Sequence, residues 1–544
     1  MKKKVIALML GLVVTVSAVT GCGNDTEVSK NTENNTSETK QSEVSTTETT
    51  SESEEIAVDH FAGTTIDIVA LRKGGDTIAD FNDKEIIKLV EEATGIHVNW
   101  TILDTTTAAE KIAVMLMSDE KPDAYLGVVT ETTLTNNQEL FYDLSEEGLL
   151  EKWAPNIVAD YDSVEGAWDT ITWADGSIRG LLTGNVTSGV MDWTASPLAI
   201  NQEWLDKLGK PVPTTADELY EVLVAFRDND MDGDGDKTNE IPMSFCNGIS
   251  EGDLMMHANA FGIGGNYTWQ PQHAYKNIEN GKVVSTIDTD NFRAFLEFYH
   301  KLAEEGLLDL EGFSQTKDQY VAKRTEKVTG VFTTYNTMLD EGYTAFVYQG
   351  LEGVEPRLTG LVNRFTGQRS NFLISAESEN VEAVLHWWNY MSSSKELKNI
   401  AYRSSAGFKI DADGKVWNVP TQNKEEVINA LSNMCPALTA ADFPNLAEEN
   451  MTAKQIARYN YIMENKDLIN QEGFPIAYND ANKEEERAFM EVELFEYIAS
   501  FVADSIKNGV TDDSWAKHLE ELKTVQYYDW LDWYQEFVDD VAAR

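Results

Sequence analysis

The chain has 544 residues, enough for two or more packed domains, and 42% of them are hydrophobic, which is typical of a globular protein. It carries 92 Asp and Glu against 43 Lys and Arg, a formal net charge of −49. Because so strong a negative charge repels phosphate groups, it argues against nucleic acid and against anionic membrane surfaces as binding partners.

The N-terminus has the pattern of a bacterial export signal. Three lysines precede an apolar run, 5–19, that is shorter than the roughly 20 residues needed to span a bilayer. The run ends in VTGC, which resembles the lipobox, whose cysteine becomes the lipidated first residue of the mature protein. The sequence predicts a lipoprotein signal peptide over 1–21 and lipidation of Cys22. An ordinary signal peptide with an incidental cysteine is the alternative.

The segment 22–60 consists largely of Ser, Thr, Asn and Glu. Such a composition buries too little apolar surface to offset the entropy lost on folding, so we expect a disordered tether. A globular body over 61–544 would then stand on the extracellular face of the cell membrane, attached through its lipid anchor alone. Cys246 and Cys435 make no disulfide framework, and we expect both to be free thiols in the core.

The globular body begins with a strand, a helix and a second strand at 64–71, 84–94 and 96–103. Asn82 and Glu85 give a helix start signal and Gly95 a stop, and the second strand alternates apolar and polar residues. This order predicts a βαβ unit with a parallel sheet, hence an α/β fold.

Further elements follow in chain order. A helix over 107–117 leads to a short buried strand in KPDAYLGVV, and Thr215 with Glu218 forms a capping-box pattern at the start of a helix over 214–227. Additional amphipathic helices are predicted at 291–305, at 381–392, and over most of the chain from 483 to the end.

An acidic loop, DNDMDGDGDKTNEIP, follows the helix that ends at 227. Its spacing is that of a calcium loop: Asp230, Asp232 and Asp234 stand at positions one, three and five, with glycine at six and the carbonyl of Asp236 at seven. The loop departs from a true EF-hand at its C-terminal end, because an EF-hand has Glu at position twelve. Asn239 and Glu240 stand at ten and eleven instead. The sequence predicts a Ca²⁺ site, with a solvated acidic loop as the alternative.

Signatures of catalysis are mostly missing. The sequence has no GxxxxGK[ST] phosphate loop, no HExxH zinc helix and no GxGxxG that opens a helix. No two of its seven histidines stand at ligand spacing. A pair of carboxylates of the kind that glycosidases use stays open. The pattern favours a binding protein, with no catalytic residue, over an enzyme.

Aromatic side chains are the remaining candidates for ligand binding. Sugars stack their C–H faces on aromatic rings while their hydroxyls need polar partners at the rim of a cleft. Residues expected in loops, and therefore candidates for ligand contact, are Trp173, Trp193, Trp269 and Tyr335, together with Arg72, Arg364 and Arg403. Core packing for the aromatic residues and a solvated surface role for the arginines are the alternatives.

Several segments together resemble the extracellular solute-binding proteins of family 1. They are EEATGIHVNW, KIAVMLMSDEKPDAYLG, INQEWLDKLGKPVPTTADELYEVLVAFRDND and MDGDGDKTNEIP, followed by VLHWWNYMSS, ADGK and DDSWAKHLEELKTVQYYDWLDWYQEFVDD. The resemblance extends from Thr64 to the C-terminus. It implies a two-lobed, periplasmic-binding-protein-like α/β fold with a hinge between discontinuous lobes, which we expect at about 61–185 with 325–375 and about 186–324 with 376–544.

The resemblance also implies a function. The protein would be a monomer that captures an oligosaccharide in the cleft and delivers it to the permease subunits of an ABC transporter. Members with this calcium loop include alginate-oligosaccharide binders, in which the ion is structural. By that pattern Asp230, Asp232, Asp234, Asn239 and Glu240 give side-chain ligands and Asp236 a carbonyl, although this chain has one residue more before Glu240 than the commonest form. A lipid-anchored glycoside hydrolase or lyase, and a peptide-binding or solute-sensing lipoprotein, are the alternatives.

Overall fold

The computed structural model describes residues 60–73, 76–118, 121–184, 197–249, 252–264, 274–334, 341–360, 368–419, 429–439, 441–442, 445 and 451–544. Cys22 and nearly all of the predicted tether lie outside these residues. The strands are β1 (Thr65–Arg72), β2 (His97–Asp104), β3 (Ala124–Leu126), β4 (Leu181–Thr183), β5 (Leu198–Asn201), β6 (Ile241–Met243), β7 (Lys276–Glu279), β8 (Lys282–Ser285), β9 (Thr329–Thr333), β10 (Tyr343–Phe346), β11 (Gln368–Ile374), β12 (Phe408–Ile410) and β13 (Val416–Asn418).

The helices surround these strands in an α/β arrangement. They are α1 (Glu85–Thr94), α2 (Ala108–Leu116), α3 (Glu131–Asn136), α4 (Leu149–Trp153), α5 (Pro155–Asp162), α6 (Ala167–Ile171), α7 (Gln202–Leu208), α8 (Ala216–Asp228), α9 (Asp290–Glu304), α10 (Lys317–Thr325), α11 (Val381–Tyr390), α12 (Lys395–Arg403), α13 (Ala453–Glu464), α14 (Ala481–Asn508), α15 (Asp512–Thr524) and α16 (Tyr527–Ala542). Within the described residues, none has both the length and the hydropathy to cross a membrane.

The first sheet has the strand order β2-β1-β3-β11-β4. β1 runs parallel to β2 and to β3, whereas β11 is antiparallel to β3 and β4. The predicted βαβ unit is confirmed as β1-α1-β2. Alternation explains the buried face of β2, where Val98 is buried between exposed His97 and Asn99.

The second sheet has the strand order β10-β5-β9-β6. β9 is antiparallel to β5 and parallel to β6, and β5 is antiparallel to β10. Each sheet has its own hydrophobic core: Ile68, Phe372 and Trp388 pack beside the first, Phe226 and Val331 beside the second. Two sheets with separate cores give the two lobes.

The chain passes three times between these lobes. The first core draws on 61–182 and 372–438, and the second on 198–346, Tyr348 and 477–537. The predicted lobe boundaries differ from this division. β9 and β10 pair in the second sheet, not the first, because hydrogen bonding between strands rather than chain order decides which sheet a strand joins. α11 and α12 pack in the first lobe, not the second.

Local signals explain several helix boundaries. Gly95 adopts φ of 67°, and its N–H donates to the Glu91 carbonyl, which ends α1 as predicted. The predicted start signal at Asn82 is wrong, since its side chain donates to the Val98 carbonyl and accepts from Trp100 Nε1. Cys246 and Cys435 are buried, as predicted, and neither forms a disulfide within the described residues.

Candidate functional site

An acidic loop joins α8 to β6 and brings three carboxylates together. Carboxylate oxygens of Asp230, Asp232 and Asp234 lie within 4.8 Å of one another. Gly233 and Gly235 have φ of 87° and 93°, in the left-handed region that residues with side chains rarely adopt. Glycine at these two positions lets the loop turn sharply enough for the three aspartates to converge.

Backbone N–H groups offset part of this negative charge. Gly233 N and Gly235 N donate to the two oxygens of Asp230, at 2.6 and 3.0 Å. Asp234 N donates to Asp232 Oδ1 at 3.1 Å. Since two carboxylate oxygens have about four acceptor positions, these bonds leave capacity for a cation.

Asn239 and Glu240 close the loop with two unsatisfied buried oxygens. Glu240 is 8% exposed; its Oε1 accepts from Met231 N at 2.6 Å, while its Oε2 has no hydrogen-bond partner in the described structure. Asn239 Nδ2 donates to Oδ2 of Asp232 and Asp234 at 3.3 and 2.9 Å, and its buried Oδ1 also lacks a partner. A buried acceptor without a partner costs about 1–3 kcal/mol, so contact with an electropositive group would stabilise both oxygens.

These residues fit a hard divalent cation. The three converging aspartates supply oxygen ligands of the kind that Ca²⁺ prefers. Asn239 and Glu240 lie next to this group, and each would add one oxygen if the loop closed on the ion. Asp236 is different, because its Oδ1 accepts from Thr238 N and Oγ1 at 2.9 and 2.6 Å, and the hydroxyl bond lowers the pKa of the carboxyl. Its side chain is therefore engaged by Thr238, which agrees with a backbone-carbonyl role.

The loop is also fixed from outside. Lys207, in the last turn of α7, donates to the Asp230 carbonyl at 2.6 Å. Asp228 lies apart from the three converging aspartates and pairs with Arg227 at 2.8 Å. The aspartates of this segment therefore fall into two groups: Asp228, which is ion-paired, and the converging cluster of Asp230, Asp232 and Asp234.

A second candidate region is the edge of the first sheet at the carboxyl ends of β1, β2 and β3. In open α/β sheets, ligands bind outside the carboxyl ends of parallel strands. Arg72 ends β1 here, rather than lying in a loop as predicted. Its Nε lies 3.3 Å from Asp104 Oδ1, and its Nη1 donates to the Ile78 carbonyl. Arg72 is 24% exposed in its side chain, and its role as a ligand contact stays a prediction.

Trp173 is a core residue, which is the alternative left open by the sequence. It is 3% exposed and stacks on Tyr478, with ring centroids 4.1 Å apart and an interplanar angle of 7°. The guanidinium carbon of Arg369 lies 4.4 Å from the Tyr478 ring centroid, and Arg369 binds both oxygens of Glu131 at 2.9 Å. The ring of Trp173 therefore packs against other side chains inside the protein.

The other predicted contacts are not brought together in the described structure. Arg403 ends helix α12 instead of lying in a loop, and its Nη1 donates to Asn418 Oδ1 at 3.0 Å. Outside the described residues lie Trp193, Trp269, Tyr335 and Arg364.

One motif bears on the enzyme alternative. Residues 248–252 read GISEG, which has the GxSxG spacing of a nucleophile elbow. Such an elbow requires a strand that turns directly into a helix. Here β6 ends at Met243, and the next helix is a 3₁₀ segment, Leu254–Phe261. Ser250 itself lies outside the described residues.

Comparison with known proteins places these features in context. No family model matches the chain. The fructooligosaccharide ABC transporter substrate-binding protein FusA of Streptococcus pneumoniae is 26% identical over 493 residues, which cover 86% of this chain and 88% of FusA. This chain is a homologue of ABC-transporter substrate-binding proteins.

Solved structures agree with this homology at the level of the fold. FusA in complex with kestose has a TM-score of 0.71 at 24% identity, covering 88% of this chain and all of FusA. An HMO-binding ABC-transporter-associated solute-binding protein from Bifidobacterium longum infantis has a TM-score of 0.74 at 19% identity, covering 88% and 99%. The two-lobed α/β fold predicted from the sequence is confirmed.

Two further solved structures with this fold refer to an EF-hand or to calcium in their names. FusA has been solved as an EF-hand mutant in complex with fructo-nystose, with a TM-score of 0.71 at 24% identity and coverage of 88% and 100%. The alginate-binding protein AlgQ2 without calcium ion has a TM-score of 0.58 at 17% identity, covering 88% and 98%.

Proposed function

We propose that this protein captures an oligosaccharide between its two lobes and delivers it to the permease subunits of an ABC importer. The homology to FusA along 88% of that protein carries the proposal, since FusA is named for fructooligosaccharides. Each lobe has its own sheet and core, so the two can move as rigid bodies. A sugar that contacts both lobes would stabilise the closed form, which the permease would recognise.

The predicted ligand contacts are aromatic rings and arginines, which would stack on a sugar or bind its hydroxyls. Stacking on an aromatic ring requires an accessible face, which buried Trp173 does not present. The candidates are therefore Trp193, Trp269, Tyr335, Arg72, Arg364 and Arg403.

Isothermal titration against a panel of neutral and acidic oligosaccharides tests the function. We expect one class of sugar to bind in a one-to-one complex, and substitution of Trp193 or Trp269 by alanine to weaken that complex. Short peptides belong in the same panel as the competing ligand class. Binding of peptides with no response to any sugar would contradict the proposal.

We further propose that the acidic loop binds a structural Ca²⁺. The buried oxygens of Asn239 and Glu240 support this, as does the EF-hand of FusA. When the free calcium concentration is 100 times the dissociation constant, binding stabilises a protein by about 2.7 kcal/mol. We expect a chelator to lower the melting temperature while sugar affinity is largely kept. An unchanged melting temperature would count against the site.

We infer that Cys22 carries a lipid that holds the protein at the extracellular face of the membrane. The lipobox-like VTGC and the polar segment 22–60 support this anchor. We expect Cys22→Ser to release the protein from the membrane fraction without changing sugar affinity in solution. Retention of the variant at the membrane would contradict the anchor.

The GISEG spacing makes a hydrolase the second candidate. Incubation of the protein with each glycan that it binds, followed by mass spectrometry of the products, separates the two functions. We expect intact glycans. Cleavage that disappears in Ser250→Ala would show instead that the protein is an enzyme.

A further inference from the structure

Helices α14 and α16 form a groove on the second lobe with a volume of about 380 Å³. Met490 and Trp533 line it and are nearly buried, at 5% and 7% exposure. Phe489 lines it as well, although its side chain is 77% exposed. The groove therefore combines a buried apolar floor with an aromatic ring that stands in solvent.

The exposed face of α14 continues this apolar surface. Val492 follows Phe489 by three residues and is 72% exposed, so both side chains lie on one helical face. Single exposed apolar residues are ordinary on protein surfaces, whereas adjacent ones beside a groove are typical of an interaction site. Glu485 and Glu493 are exposed on the same helix and give the patch a polar border.

Four carboxylates line the groove, and no Lys or Arg does. They are Glu486, Asp529, Asp532 and Glu536. In the described part of the chain none of the four forms an ion pair within 4.0 Å. Glu536 helps to raise the pKa of Lys483, and the charges of the other three are available to a partner.

Basic residues beside the groove already have acidic partners. Lys483 Nζ lies 2.9 Å from Asp540 Oδ2, a contact that raises the pKa of the lysine. Arg487 pairs with Glu484 at 2.9 Å and with Glu491 at 2.7 Å. These pairs leave the groove with a net negative charge and an apolar centre.

We propose that this groove docks a segment of the importer's permease subunit that presents Lys or Arg beside an apolar side chain. The proposal rests on the proposed function for the identity of the partner and on charge complementarity for its chemistry. The carboxylates repel anionic lipid headgroups, a second copy carries a charge of −49, and the segment 22–60 is itself acidic, so these occupants do not fit.

A peptide of alternating Lys and Leu probes the chemistry independently of the transporter. We expect it to bind the purified protein with an affinity that falls as salt rises. Phe489→Ser, and separately Glu486→Lys with Asp532→Lys, should each weaken binding by about tenfold, as for a hot-spot residue. Fluorescence anisotropy measures the affinity, and the melting temperature confirms that the variants fold.

Matched controls separate the groove from general attraction to an acidic protein. Val114→Ser removes an apolar side chain that is 69% exposed on α2, and Glu147→Lys with Glu165→Lys reverses two exposed charges in the first lobe. We expect both controls to bind the peptide as the wild type does. Equal weakening in controls and groove variants, or no weakening in either, overturns the groove as a docking site.

Uptake by cells identifies the partner. In a strain that carries Phe489→Ser as its sole copy, we expect slower import of the bound oligosaccharide and an unchanged affinity for it in solution. Import at the wild-type rate overturns the permease as the occupant. A wild-type protein that binds no sugar contradicts the proposed function instead, while the peptide measurement still decides whether the groove binds cationic segments.

Discussion

Two buried charged residues of the second lobe differ in what surrounds them. Glu240 has one satisfied and one unpartnered oxygen at the end of the acidic loop. Lys276 is 2% exposed, and its Nζ lies 3.8 Å from the ring centroid of Tyr534 and 4.2 Å from that of Trp530. Aromatic faces stabilise the ammonium through cation–π contact, but burial still lowers the pKa of Lys276 to about 7.

At Glu240, we expect Glu240→Gln to weaken calcium binding at least about tenfold, because the amide keeps an acceptor but removes a charge from the ligand set. Calorimetric titration of the metal-free protein measures the affinity. Asp228→Asn is the matched control, since Asp228 is the last residue of α8, directly before the loop, and pairs with Arg227. An equal loss in the control would contradict a specific role for Glu240.

At Lys276, the lowered pKa makes stability depend on pH. The folded protein loses this proton near pH 7, whereas the unfolded chain keeps it to about pH 10.4. The unfolded state therefore binds more protons between pH 7 and 9, and the free energy of unfolding should rise with pH, by up to about 1.4 kcal/mol per pH unit. Urea denaturation across this range should show a shallower rise for Lys276→Met.

Lys282 supplies the comparison for that measurement. It is exposed at the start of the neighbouring strand β8, so Lys282→Met should leave the pH dependence as in the wild type. The same slope in the wild type and in Lys276→Met would show that other groups cause it.

At the scale of elements, the packing of α8 on the second sheet allows no added atom at Gly330. A Cβ there would lie 2.5 Å from the Phe226 ring and 2.7 Å from the Pro242 carbonyl oxygen. We expect Gly330→Ala to lower the free energy of unfolding by about 1–3 kcal/mol, measured with urea. Adding Phe226→Leu should recover part of that loss. A double variant as unstable as the sum of the two single ones would contradict this packing.

Elements with a local cause could be predicted from the sequence. Apolar alternation at 96–103 and the glycine at 95 gave β2 and the end of α1 correctly. The interpretation of Asn82 failed because its side chain bonds with Val98 and Trp100, which lie on the next strand. The acidic loop was recognisable for the same local reason, since its ligand spacing lies within eleven residues.

At the scale of the whole molecule, Tyr478 joins two cores. It follows Ala477, which packs in the second core, and stacks on Trp173 beside the first sheet. We expect Tyr478→Ala to destabilise the protein by about 3–5 kcal/mol, as for other buried aromatic residues, and to separate the unfolding of the lobes in calorimetry. Tyr478→Phe keeps the ring and should behave as the wild type. A single sharp transition in Tyr478→Ala would contradict the joining role.

Long-range pairings such as these could not be predicted from one sequence. Trp173 and Tyr478 are about 300 residues apart, and no local pattern marks either as the other's partner. The lobe boundaries failed for a related reason. β9 has the same apolar character as a strand of the first sheet, and only its hydrogen bonds to β5 and β6 place it in the second.

The position of β11 between β3 and β4 has a consequence for how the protein is made. The first sheet stays divided until β11 is available to pair, and every strand of the second sheet precedes β11 in the chain. Until then β3 and β4 each have an unpaired edge, so the folding chain needs protection from association with other chains. For the same reason, no fragment that ends before β11 contains a complete first lobe.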